Sequence, residues 1–100
     1  MLFAIHTIAK PNSESVIKKL QTEHRAYLEP RLKCVHLGGP LLGNDGESRV
    51  GGLLIMEFND HSEAEKFFAE QPYAKAGIIE KILIHPFIPF VVQGQFQRII

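Results

Sequence analysis

Two segments of this chain, GGLLIMEF (51–58) and IIEKILIHPF (78–87), are apolar at consecutive rather than alternate positions. Their length and their flanking turn residues predict β-strands. Because successive side chains of a strand point to opposite faces of a sheet, each of these strands has two apolar faces. Both faces of the predicted sheet must therefore be covered.

The remaining segments give an order of elements. LFAIHTIA (2–9) predicts a first strand, and Glu14 to about Leu28 predicts a helix with Ser13 as N-cap and Pro30 as its stop. CVHLGGPLLG (34–43) predicts a second strand whose Gly-Gly-Pro favours an edge position or a bulge. A second helix follows Asp60, with Ala64, Phe67 and Phe68 on its inner face. The order β-α-β-β-α-β predicts an α+β, ferredoxin-like fold, with two helices on one face of a four-stranded antiparallel sheet.

One hundred residues predict a single domain, 1–100, without a third layer to cover the second face of the sheet. A large bare apolar face would be a liability, so we expect two sheets to pair face to face in a homodimer. Higher oligomers stay open. The tail IPFVVQGQFQRII (88–100) is more apolar than a frayed terminus, and we expect it to pack on the partner subunit.

Composition excludes several classes of partner. Eleven basic residues balance eleven acidic ones, without a basic run, so no nucleic-acid partner is expected. Cys34 is the only cysteine, which excludes an intramolecular disulfide and suits a reducing cytoplasm. The N-terminus does not resemble a signal peptide, and no apolar run is long enough to cross a membrane. We therefore expect a cytoplasmic protein without a membrane partner.

His24 is the residue that most suggests a site. At 100° per residue it falls between Leu20 and Leu28 on the apolar stripe of the first helix, so its ring points towards the sheet. A core histidine with backbone partners and a pocket residue are about equally consistent with this position. In a pocket, a partly buried imidazole would titrate near neutrality and could act as a general acid or base.

Other polar and glycine-rich features give weaker signals. The histidines lack the spacing of a metal site, so no metal is expected. LGGPLLG (37–43) does not resemble a phosphate loop, and no cofactor is expected; its glycines favour a bulge, or a close approach of backbone to a ligand. Three isolated arginines could bind an anionic substrate, although such residues usually lie on the surface: Arg25, Arg31 and Arg49.

Several short motifs occur in a familiar order: a mid-helix histidine in EHRAYLEPR, then LGGPLL, LLIMEF, EQPYAKAGI and IHPF. Together they resemble the YCII-related (YciI-like) family, small proteins of the dimeric α+β barrel type, over residues 1 to about 90. The resemblance implies a small-molecule ligand and a site that contains the helix histidine, a Gly-Pro and a Pro-Tyr. These motifs correspond to His24, to Gly39 and Pro40, and to Pro72 and Tyr73.

The family's pattern also implies an acid–base pair and, in one branch, a dehydrochlorinase activity. The position of the family's acid is Gln71 here, and an amide cannot accept a proton, although it can hydrogen-bond an imidazole. His24 could act alone, Glu70 or Glu57 could replace the acid, or the pocket could only bind. The leading hypothesis is a lyase- or isomerase-type enzyme with His24 as acid–base and Gln71, Tyr73, Gly39 and Pro40 binding substrate. The alternatives are a non-catalytic binding module and a cofactor-independent monooxygenase.

Overall fold

A computed structural model describes residues 1–98 of the chain. The strands of the main sheet are β1 (Leu2–Ala9), β2 (Val35–Leu42), β3 (Arg49–Glu57) and β4 (Ile79–Pro86). The helices are α1 (Glu14–Lys19), α2 (Gln21–Leu28), a 3-10 helix (Glu29–Cys34), α3 (His61–Ala69) and α4 (Pro72–Lys75), and a short hairpin follows with β5 (Val91–Val92) and β6 (Gln95–Phe96). The main sheet is antiparallel in the order β2-β3-β1-β4. The predicted βαββαβ, ferredoxin-like α+β fold is confirmed.

The register of the central strands separates the two faces of the sheet. Ile5 of β1 pairs with Leu54 of β3 on one side and with Ile84 of β4 on the other. These side chains face the helices, where a core of large apolar residues forms: Phe3, Ile5, Met56, Phe58, Ala64 and Phe67. The edge-to-face contact of Phe3 with Phe58, 6.2 Å between ring centroids, joins β1 to the residue that follows β3 within this core.

The first predicted helix is two helices. Leu20 has φ −96° and ψ 4°, outside the helical region, and separates α1 from α2. Helical hydrogen bonds continue across the break, since the Leu20 N–H donates to the Val16 carbonyl at 3.0 Å and the His24 N–H donates to the Leu20 carbonyl at 2.9 Å. The break therefore leaves the N–H and the carbonyl of Leu20 paired within the helical segments.

The two predicted N-caps behave differently. The Asp60 carboxylate accepts a hydrogen bond from the Glu63 N–H at 2.8 Å, which confirms the cap of α3. Ser13 makes no side-chain cap; its hydroxyl donates to the Lys10 carbonyl at 2.7 Å and closes the turn after β1 instead. Both serine and aspartate side chains can hydrogen-bond nearby backbone groups outside a helix. Here the Ser13 hydroxyl bonds the turn after β1 rather than the start of α1.

β2 lies at the edge of the sheet, as its proline predicts. The irregularities of its pairing with β3 fall at its two ends, between Val35 and Leu37 and between Leu41 and Leu42, rather than at the Gly-Gly-Pro. A Cβ on Gly38 would lie 2.5 Å from Cδ1 of Leu54, so a side chain at this position would displace the end of the Leu54 side chain. The predicted bulge is therefore displaced from the glycines.

The face of the sheet opposite the helices is open. His6 pairs with Leu53 and Leu83, and both leucines are exposed on this face. Leu37 of β2 is 68% exposed. The β5–β6 hairpin is also apolar and exposed, with Phe96 at 78%. The homodimer and the packing of the tail stay predictions, and tail residues 99–100 lie outside the described residues. Within residues 1–98, no helix has the length and apolarity to cross a membrane.

Candidate functional site

A cavity of about 320 Å³ lies between the helices and the helix-facing side of the sheet. Strands β1, β2 and β3 form its base, and residues of the four α-helices and of the 3-10 helix line the opposite side. Most of its lining is apolar, including Ile5, Leu28, Leu54 and Phe68. The polar side chains in the lining are Thr7, His24, Arg49 and Tyr73. A largely apolar cavity with a few convergent polar groups is typical of a small-molecule site.

His24 lies at this cavity, on the stripe of α2 where its spacing predicted it. Its ring stacks on the ring of Tyr73, with 4.7 Å between centroids and 26° between planes. Within residues 1–98, neither ring nitrogen has a hydrogen-bond partner, so the core histidine with backbone partners is not what the structure shows. Burial lowers the pKa of His24 below its usual 6.5. The imidazole is therefore neutral at neutral pH, with one nitrogen free to accept a proton.

Tyr73 is held by two contacts outside its stacking with His24. Its hydroxyl donates to the Ile17 carbonyl of α1 at 3.3 Å, and its backbone N–H donates to Oε1 of Gln71 at 3.2 Å. Burial raises the pKa of Tyr73, an effect that the nearby Arg49 charge partly opposes. The phenol therefore stays protonated and acts as a fixed wall of the cavity.

Gln71 has a structural contact that the sequence did not predict. Its side chain is only 3% exposed and caps the N-terminus of α4, while Pro72 occupies the first helical turn. It does not line the cavity and makes no hydrogen bond to His24 within the described chain. Its substrate-binding role stays a prediction; the contact in the structure fixes Tyr73, which in turn stacks on His24.

Gly39 and Pro40 both line the cavity from the edge strand β2. Gly39 pairs with Leu53, so a side chain at Gly39 would point to the open face of the sheet, and it is the backbone of Gly39 that lines the cavity. The close approach in this glycine-rich segment occurs at Gly38, whose Cβ position lies 2.5 Å from Cδ1 of Leu54. Gly39 and Pro40 are therefore positioned for ligand contact, which stays a prediction.

The two candidate replacement acids lie elsewhere. Glu57 pairs with the N-terminal amine of Met1 at the end of β3. Burial raises the pKa of Tyr27, and the charge of the nearby Glu70 adds to this effect, so Glu70 lies beside Tyr27. No aspartate or glutamate lines the main cavity within residues 1–98. Of the three outcomes left open by Gln71, replacement by Glu57 or Glu70 therefore has no support in this geometry.

The other candidate histidines lie away from the main cavity, whereas one candidate arginine lines it. His6 and His85 lie on the open face of the sheet, and the residues that the structure describes contain no group of three metal-ligating side chains. Arg31 lies over the Phe67 ring, 5.4 Å from its centroid. Arg49, at the start of β3, is the arginine that lines the cavity. Arg49 is one of the three arginines that the sequence suggested for an anionic substrate, whereas Thr7, which also lines the cavity, was not singled out by any sequence motif.

The fold and the cavity define a small α+β protein with a ligand-sized space between its helices and its sheet. The model of the YCII-related domain matches residues 1–88, and the chain belongs to this family. The predicted resemblance is confirmed. No curated protein matches the chain.

Two solved structures are similar to this chain. One is 5-chloro-2-hydroxyhydroquinone dehydrochlorinase (TftG) from Burkholderia phenoliruptrix AC1100 in complex with 2,5-dihydroxybenzoquinone. It has 33% identity and a TM-score of 0.81, and the match covers 88% of this chain and 94% of that one. The other is an antibiotic biosynthesis monooxygenase with 11% identity and a TM-score of 0.52, covering 89% and 100% of the two chains. At that identity the second similarity shows the fold alone.

Proposed function

We propose that this protein binds a small hydroxylated ring compound in the main cavity and that His24 transfers a proton in a lyase-type reaction. The observation that carries the proposal is the His24 ring, stacked on Tyr73 at the cavity with no hydrogen-bond partner among residues 1–98. The similarity to a dehydrochlorinase with a bound dihydroxybenzoquinone supports the ligand class. The single Cys34 is consistent with a cytoplasmic location, which we also propose.

The cavity suits a substituted six-membered ring. A cavity of about 150 Å³ holds benzene in a protein interior, and the space here is about 320 Å³. The extra volume accommodates hydroxyl or chlorine substituents. The apolar walls would contact the faces of the ring, while Thr7, His24 and Tyr73 offer polar groups to its edge.

The chemistry of an elimination fits a neutral imidazole. Loss of HCl starts from the keto tautomer of the ring, in which one hydroxyl proton has moved to the carbon that carries chlorine. A base then takes a second hydroxyl proton, the O–H electron pair forms a carbonyl bond, the adjacent ring double bond shifts to the carbon that carries chlorine, and chloride leaves with the C–Cl pair. The lowered pKa of His24 keeps one ring nitrogen available as that base near neutral pH. The stack on Tyr73 holds the ring plane, which a carboxylate partner would otherwise orient.

His24→Gln tests the role of the imidazole, with His36→Gln on the exposed part of β2 as a matched control. Chloride release from 5-chloro-2-hydroxyhydroquinone should fall roughly 10²- to 10⁴-fold in His24→Gln, the usual contribution of general acid–base catalysis. His36→Gln should match the wild type. Equal chloride release by His24→Gln and the wild type would refute the acid–base role.

A non-catalytic binding module is the second candidate, and the absence of any carboxylate from the cavity lining within residues 1–98 favours it. The two candidates differ in one measurement. Calorimetry with 2,5-dihydroxybenzoquinone should detect binding in both cases, whereas chloride release should occur only with an enzyme. Binding without chloride release would therefore support the non-catalytic binding module. Absence of binding would exclude this class of ligand.

We also propose that the functional unit is a homodimer that pairs the open sheet faces, with the exposed β5–β6 hairpin packed on the partner. Leu83 lies on that face beside His6 and is 43% exposed. Leu83→Asp should shift the protein from dimer to monomer in light scattering at micromolar concentration. A wild-type monomer under the same conditions would contradict the proposal.

A further inference from the structure

Arg49 stands between the main cavity and a second, more open one. The second cavity measures about 490 Å³ and is lined by polar side chains of α1, α2 and the turn before β3. The two cavities share Ile17 and Arg49. Arg49 is the first residue of β3, so the sheet fixes its backbone while its long side chain reaches the boundary of both spaces. A ligand in the main cavity would therefore meet this guanidinium at its outer end.

Arg49 also supplies the permanent charge of the main cavity. The other titratable side chains in the lining are His24, which burial keeps neutral at neutral pH, and Tyr73, which stays protonated. No carboxylate of residues 1–98 lies within salt-bridge distance of Arg49. The guanidinium is thus available to a ligand, with its planar set of donors suited to adjacent oxygens.

We propose that Arg49 is the specificity-determining residue of this site and selects ring compounds that carry a negative charge, such as ionised hydroxyquinones, over neutral rings of the same shape. This inference rests on the proposed binding of a ring in the main cavity. The charged oxygen lies at the boundary of the two cavities, while the ring contacts the apolar walls and His24.

The charged residues that line the second cavity limit how far the negatively charged part of a ligand can extend into it. Glu14 and Glu47 line it together with Lys18, so its charges are mixed rather than uniformly positive. An anionic group placed deep in this space would meet two carboxylates. The favourable position is therefore next to Arg49 itself, which restricts the ligand to a compact anion rather than a ring with a long acidic tail.

The test compares two ligands with the same substitution pattern. The hydroxyl groups of 2,5-dihydroxybenzoquinone are conjugated with carbonyls and are ionised at neutral pH, whereas 2,5-dimethylhydroquinone is neutral. Calorimetry should show that the wild type prefers the anion. Arg49→Gln should weaken binding of the anion about ten- to hundredfold, the usual range for a hydrogen-bonded charge, and change binding of the neutral ring less than about twofold.

Two further variants separate charge from shape. Arg49→Lys keeps the charge and should retain more of the preference than Arg49→Gln. Arg25→Gln, on the exposed surface of α2 outside the cavity, should bind both ligands as the wild type does. Equal affinity of Arg49→Gln and the wild type for the anion would overturn the inference.

The outcomes also distinguish this inference from the function on which it rests. A wild type that binds the neutral ring as tightly as the anion overturns the selection by Arg49 and leaves the ring-binding function in place. A wild type that binds neither compound refutes both.

Discussion

Gln71→Ala should destabilise the protein by removing the cap of α4. The Gln71 side chain is 3% exposed, and its Oε1 accepts the Tyr73 N–H at 3.2 Å. Alanine leaves that N–H without its partner at the start of a four-residue helix. Since α4 carries Tyr73, the substitution should also loosen the ring that stacks on His24.

The magnitude follows from two terms. Loss of a side-chain N-cap costs about 1 kcal/mol, and removal of one buried methylene costs about 0.8 kcal/mol. The free energy of unfolding should therefore fall by roughly 2 kcal/mol. For a domain of this size, each kcal/mol lowers the melting temperature by about 4–8 °C, so a decrease of roughly 8–16 °C is expected.

Urea unfolding followed by circular dichroism measures this difference. Gln71→Asn is the matched control, because its shorter amide can still accept the N–H and asparagine is among the best N-cap residues. It should recover most of the loss. A destabilisation of less than about 0.5 kcal/mol in Gln71→Ala would refute the assignment of this residue to the cap of α4.

Ligand binding extends the same test to the site. If Gln71 acts only through Tyr73, the affinity for 2,5-dihydroxybenzoquinone should fall in Gln71→Ala and recover in Gln71→Asn, in parallel with stability. Recovery of stability without recovery of affinity would show that Gln71 contacts the ligand directly, as the family resemblance implies.

Two other predictions concern pH and backbone geometry. The folded state holds the pKa of His24 below the usual 6.5. The unfolded state therefore takes up its proton first, so stability should decrease as the pH falls below about 6.5. His24→Gln should show a smaller decrease than the wild type in urea titrations between pH 7.5 and 5; an identical decrease would contradict this origin. Gly77 has φ +75°, so Gly77→Ala should destabilise by about 1–2 kcal/mol in thermal unfolding, whereas Ala76→Gly should not show that strain.

The order of elements could be predicted because each boundary carries local chemistry. Apolar runs predicted the four strands, and Asp60 marked the start of α3 through the same cap that the structure shows. The break at Leu20 could not be predicted. Breaks usually occur at proline or glycine, and residues 14–28 contain neither.

From the residues alone, the candidate site was predictable where helical spacing decides orientation, whereas Gly39, Pro40 and Tyr73 were suggested by the family resemblance. His24 lies on the apolar stripe of its helix, so its direction follows from periodicity alone. Arg49 offers no such signal, because its approach to the cavity depends on the pairing of β3 with β1 and on the position of α1. For Gln71 no local signal in the sequence predicted the side-chain cap that begins α4.

The lack of a carboxylate beside His24 within residues 1–98 changes which substrates suit proton transfer. In an apolar cavity, an imidazolium without a counter-ion is unfavourable, which is why burial lowers the pKa of His24. A substrate that gives His24 a proton becomes more negative in the same step, so it supplies the missing counter-charge itself. Arg49, at the rim of the same cavity, would hold that negative charge in place. If His24 acts as proposed, the lack of a carboxylate in the cavity lining within residues 1–98 thus favours acidic ring substrates over neutral ones.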